Sequence, residues 1–334
     1  MSYGMDRRSY LATAVATLAG LAGCMNSNTT SQPTNTAATP PTTDTTTAEI
    51  TTSPQTETAT ETEAATETTS QAQPDAATAI KRARNALGNA LHEYTGSEDP
   101  DITTVAATST SFKQQPVNTA LATAQDALTT AQEADATDEQ AQTIRKLTGV
   151  HSFLSHSTTA QTHLITAYTT LKTARTNLQN ENPRKAQSTS LSMRSAVTSA
   201  LNPVSALQRE RESSDATALG GLSESEYARK ITQLADERQA LNDTEGLVGK
   251  VIRGMRALVA AREYYQLESY SDAVPKADRA ERILSEAGDE LSLHSAGVSS
   301  SVSNEVSALA RTASSKADAA AAVREKSSSK ANDE

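Results

Sequence analysis

Residues 171–186 read LKTARTNLQNENPRKA. Leu171 and Leu178 continue a series begun by Leu164, Ile165 and Tyr168. Steps of three and four place such residues on one face of a helix. The series stops at Asn180-Glu181-Asn182-Pro183. Asn182 can cap a new helix, and Pro183 can take its first position, where the missing N–H is harmless. The stretch therefore predicts a long helix, a tight turn and a second helix.

Residues 258–273, LVAAREYYQLESYSDA, carry the same pattern at an offset of 87. Leu171, Ala174, Arg175, Gln179, Glu181 and Ala186 fall on Leu258, Ala261, Arg262, Gln266, Glu268 and Ala273. The register extends upstream. Ala141, Ile144, Leu147 and Leu154 fall on Ala228, Ile231, Leu234 and Leu241, and Pro116-Val117 falls on Pro203-Val204. Two capping boxes, Thr137 with Gln140 and Ser223 with Glu226, agree to within one residue. A weaker echo stands at Ala83, Arg84 and Leu87. A constant offset over this span predicts a tandem duplication with approximate repeats 116–200 and 203–290. The layout resembles helical-hairpin arrays of the tetratricopeptide kind, with a longer period and without that family's Trp-Leu-Gly-Tyr signature.

The fold class expected is all-α: antiparallel helical hairpins or a bundle occupying residues 75–325. Good helix formers dominate, and no strand-like alternation interrupts them. Val248, Val251, Ile252, Met255, Leu258, Val259 and Tyr265 form one apolar stripe. Ala273, Ala277, Ala280, Ile283, Leu284, Ala287 and Leu291 form the next, beyond a polar turn at residues 268–272. Val298, Val302, Val306, Leu309 and Ala313 make a thinner one, and residues 326–334, charged and Ser-rich, are expected to fray.

Candidate sites in this body are few. His151, His156 and His163 share a predicted helix, but the set is too sparse for zinc, so no metal is expected. The recurring Arg84, Arg175 and Arg262 read as ion-pair partners of nearby glutamates such as Glu181 or Glu268. Tyr264 and Tyr270 are the best candidates for a partner contact, whereas Tyr265 belongs to the core stripe. No Gly-rich phosphate loop, Gly-x-Ser-x-Gly elbow or His-Glu-x-x-His is present, so no catalytic residue, cofactor or enzymatic activity is expected.

The first 74 residues differ in kind. Arg7 and Arg8 precede an uncharged run at residues 10–23, which ends in small residues before Cys24. A basic start, a short apolar stretch and small residues at the end are the layout of an export signal. As a helix the 14 residues of that run would rise about 21 Å, short of a ~30 Å hydrocarbon core. Asp6-Arg7-Arg8-Ser9-Tyr10-Leu11 resembles the twin-arginine export motif, and Leu21-Ala22-Gly23-Cys24 resembles a lipobox. Together they resemble the lipoproteins of salt-loving archaea. That resemblance implies removal of residues 1–23, lipid on Cys24, and a protein anchored at the extracellular face of the cell membrane. Cys24 is the only cysteine, so no intrachain disulfide can form.

Residues 24–74 read as a disordered stalk. Residues 26–73 hold 19 Thr, 4 Ser and 4 Pro, no Lys or Arg, and Ile50 as their only large aliphatic residue. That is too little apolar area to offset the entropy of ordering. Asn28-Thr29-Thr30 is a possible N-glycosylation site.

The chain has 40 acidic and 30 basic residues, a net charge of −10. Loss of residues 1–23 removes Asp6, Arg7 and Arg8 and leaves 39 and 28, or −11. Such a surface disfavours nucleic acid. The function expected is a lipid-anchored scaffold or interaction module that binds envelope proteins. The alternative is a small-molecule-binding or sensory bundle.

Overall fold

The computed structural model describes residues 75–97, 101–209, 212–298 and 301–333. Arg7, Arg8, Cys24, Asn28 and the Thr-rich stretch lie outside the described residues. The described residues are all-helical, with seven α-helices: α1 (Ala76–Thr95), α2 (Gln114–Glu133), α3 (Asp138–Gln179), α4 (Pro183–Arg209), α5 (Glu224–Gln266), α6 (Tyr270–Gly297) and α7 (Ser303–Asp333). Two 3-10 segments, Ile102–Thr104 and Ser213–Ala218, lie between them. No strand occurs among the described residues.

Sequence neighbours pack as antiparallel hairpins: α1 on α2, α3 on α4, α5 on α6, with α7 against α6. The two longest helices run through the middle. α3 has 42 residues and α5 has 43, each about 63–65 Å long. Different neighbours cover different parts of each, so both bury residues around much of their circumference. Burial along α5 includes a heptad-like step. Tyr227, Lys230, Leu234, Glu237, Leu241, Thr244, Val248, Val251, Met255 and Leu258 are all buried on α5. The core is mostly alanine and leucine, which lets helices approach closely. A Cβ on Gly254 of α5 would stand 2.6 Å from Leu284 Cγ on α6. One on Gly149 of α3 would stand 1.8 Å from Asp215 Oδ2 in the Ser213–Ala218 segment.

The repeat is present in the backbone. α3 and α5 both start from the expected capping boxes, Thr137 with Gln140 and Ser223 with Glu226. Both end in the same motif. Glu181 and Glu268 adopt left-handed φ values of 56° and 59°, the only non-glycine residues above zero among those described. Asn182 N–H donates to Asn177 O (2.8 Å) and Glu181 N–H to Leu178 O (3.1 Å). Ser269 N–H donates to Tyr264 O (3.0 Å) and Glu268 N–H to Tyr265 O (3.1 Å). These are two Schellman turns, 87 residues apart. Asn182 Oδ1 then accepts from Lys185 N–H at 3.1 Å, the cap expected ahead of Pro183.

Three expectations need correction. Pro116 sits in the first turn of α2, whereas Pro203 is buried inside α4. The repeated unit is thus the long hairpin alone, α3–α4 and α5–α6, and not 116–200 and 203–290. Near the end of α4 a proline removes one backbone bond while its ring fills the core. Residues 326–333 do not fray. Ser327 is fully buried, and the alanine-rich α7 stays helical along α6, where Arg324 pairs with Glu281 at 2.7 Å. Tyr265 is half-buried rather than core. Its ring lies at the end of α5 against Tyr270, with centroids 5.5 Å apart.

Candidate functional site

A buried polar cluster joins α1, α3 and α5. Lys230, Glu237, Gln161 and Tyr94 are each at most 1 % exposed. Lys230 Nζ donates to Val105 O, to Gln161 Oε1 (2.8 Å) and to Gln233 Oε1 (3.4 Å). The ammonium also lies 5.4 Å from the centre of the Tyr94 ring, and Tyr94 Oη donates to Gln161 Oε1 at 3.3 Å. Gln233 Nε2 donates to Glu237 Oε1 (3.3 Å) and to Val105 O (3.2 Å). Glu237 further accepts from Ala107 N–H (3.0 Å) and Ser301 Oγ (2.9 Å). Lys230 and Glu237, two turns apart on one helix, thus hold the backbone that follows the first 3-10 segment and Ser301, just ahead of α7.

Burial dominates the electrostatics here. It drives the Lys230 amine down to about 7, against the pull of Glu237 and Asp101. It also raises the Glu237 carboxyl, opposed by Lys230 and by the hydrogen bonds it accepts. Tyr94 is pushed well above the usual phenol value by burial and by Glu237. A near-neutral amine beside a carboxyl would suit proton transfer, but side chains this deeply buried offer a substrate no approach. The arrangement is a structural latch.

A second cluster stands at the α3–α4 turn. Glu181 accepts from Arg262 on α5 and from Lys316 on α7 (2.8 Å). Burial alone would raise the Glu181 carboxyl, but these two cations hold it below its usual value. Arg175 on α3 pairs through Nε with Glu305 on α7. Arg84 donates instead to Ala218 O at 3.1 Å. Arg175 and Arg262 are therefore ion-pair partners, as expected, though Arg262 reaches the glutamate of the other repeat and Arg175 reaches α7.

A groove of about 670 Å³ runs between α5 and α6, lined by Asp236, Gln239, Asp243, Leu293 and His294 among others. Leu293 is 76 % exposed there, and His294 Nε2 is 3.2 Å from Ala240 O. Tyr264 and Tyr270 are both half-buried near the α5–α6 turn. His151 Nε2 is 3.2 Å from Leu121 O, and burial lowers its proton affinity. Among the described residues no three His, Cys, Asp or Glu side chains converge as a metal site.

The buried cluster escaped sequence reading although a signal existed. Lys230 and Glu237 occupy seam positions of the heptad-like run on α5, and a charge at such a position is not on a solvated face. Compared with protein-family models, curated proteins and solved structures, the chain matches none.

Proposed function

We propose that the chain is exported through the twin-arginine route, lipidated on Cys24 and held at the extracellular face of the cell membrane. There the helical body serves as a scaffold for other envelope proteins. The observation that carries the scaffold reading is the sealed interior. Alanine and leucine fill the core, and its polar cluster is closed. The α5–α6 groove opens outward, so the body offers other molecules its surface. Leu191, Leu201, Val259, Leu267 and Leu293 stand exposed on that surface. No described helix is long and apolar enough to cross a membrane. The anchor in this reading is the lipid on Cys24, and two acyl chains are required because one gives only marginal retention.

Crosslinking in intact cells, followed by recovery of the full chain, tests the reading. Specific envelope proteins should accompany the wild-type chain and be lost with Cys24→Ser. Recovery of the chain alone, under conditions that capture a known envelope complex, contradicts it. The α5–α6 groove favours the second reading, a small-molecule-binding module.

A further inference from the structure

The region between the last turns of α3 and the middle of α7 concentrates cations in a chain of net charge −10. A pocket of about 380 Å³ there is lined by Arg175, Gln179, Arg311, Thr312, Ser315 and Lys316, together with Ala308. Three of these are cations and none is a carboxylate. Two carboxylates bear on the pocket from outside its lining: Glu305 holds Arg175, and Glu181 is shared between Lys316 and Arg262. The lining cations and their ion-pair partners are Arg175, Arg262, Arg311 and Lys316 against Glu181 and Glu305, an excess of two positive charges among these six groups.

Donors outnumber acceptors in the same way. A guanidinium carries five N–H donors and an ammonium three. Arg175 spends Nε on Glu305, and Lys316 spends one donor on Glu181. Arg311 is exposed and makes no ion pair among the described residues. The carboxylates also hold the two partly buried cations, Arg175 at 21 % and Lys316 at 16 % side-chain exposure, at fixed places beside the pocket. Fixed cations with spare donors suit an oxyanion that accepts several hydrogen bonds at once.

We propose that this pocket binds a phosphate or sulfate group, free or as a monoester, through Arg175, Arg311 and Lys316. The inference does not depend on the scaffold reading, since it concerns one pocket and one anion.

Calorimetric titration of the full chain at low ionic strength tests it, with inorganic phosphate, inorganic sulfate, a sugar monophosphate and the unphosphorylated sugar as probes. At least one of the three anionic probes should bind with a Kd of about 1 mM or tighter, and the neutral sugar should not. Arg311→Gln leaves the structural ion pairs intact and should weaken binding about tenfold. Arg82→Gln, an equal charge change on the exposed face of α1, should leave it unchanged. Binding of the ester alone assigns the site to an esterified ligand, and binding of the inorganic ions alone to a free one. Absence of saturable binding by all three anions, equal binding of the neutral sugar, or equal weakening by Arg82→Gln overturns the proposal.

Discussion

At the scale of single residues, the buried Lys230 makes stability depend on pH in a way its neighbours limit. Its amine titrates near 7 in the folded chain and near 10.5 when exposed. Below pH 7 both states carry the proton, and the cost of burying the charge is fully present. From pH 7 towards 10.5 the unfolded state binds more protons, so stability rises with pH, at most about 1.4 kcal/mol per pH unit from one group. Glu237 acts oppositely. Its raised carboxyl makes stability fall as pH climbs from about 4.5 through the folded value. Tyr94, also raised, lowers stability above pH 10. Chemical denaturation between pH 7 and 9.5 should therefore show wild type gaining on Lys230→Met with every step upward. Parallel curves would mean that Lys230 is not desolvated.

The two left-handed glutamates give a second residue-scale prediction, because they share a backbone and differ in side-chain partners. An L residue in this conformation costs about 1–2 kcal/mol, and glycine avoids that at some entropic cost. Glu268 is exposed and makes no ion pair among the described residues. Glu268→Gly should raise stability by about 0.5–1 kcal/mol. Glu181→Gly loses the contacts to Arg262 and Lys316 and should bring no gain. Equal gains at both positions, read from thermal unfolding, would show that the ion pairs contribute nothing.

At the scale of helices, close packing of α5 on α6 separates two otherwise similar exchanges. Gly246 and Gly254 both lie inside α5. Nothing surrounds a Cβ at Gly246, so Gly246→Ala should stabilise by about 0.5–1 kcal/mol through helix propensity. Gly254→Ala must displace Leu284, which is fully buried, and overpacking of about 1–3 kcal/mol cancels or exceeds that gain. Denaturant midpoints should move in opposite directions, or only the first should move; a matching rise at both would contradict the packing of α5 on α6.

Helix-scale features were also the most legible in the sequence. Spacing alone located the α3–α4 and α5–α6 turns, both capping boxes and the Asn182-Pro183 start, because each depends on a few adjacent residues. The offset from Leu171 to Leu258 located the repeat. Three things were not legible. The left-handed turns carry glutamate where glycine would have announced them. Pro203 looked like a boundary because its burial inside α4 depends on distant neighbours. Lys230 and Glu237 drew no notice because their partners, Val105 O, Ala107 N–H and Gln161, lie more than 65 residues away.

For the whole molecule, the described helices pack around an alanine- and leucine-rich core, while Arg7-Arg8 and the lone Cys24 lie outside the described residues. A function at the cell surface therefore turns on what happens to that cysteine. Replacing Arg7-Arg8 by Lys-Lys should hold the precursor inside the cell, with its body folded, and normal export of that variant would remove the twin-arginine reading. The most direct measurement is mass spectrometry of the protein purified from membranes of its own host. The mature chain is predicted to begin at Cys24, with a thioether-linked two-chain lipid and no residues 1–23. A chain that still starts at Met1 with a free Cys24 thiol contradicts the surface-anchored function.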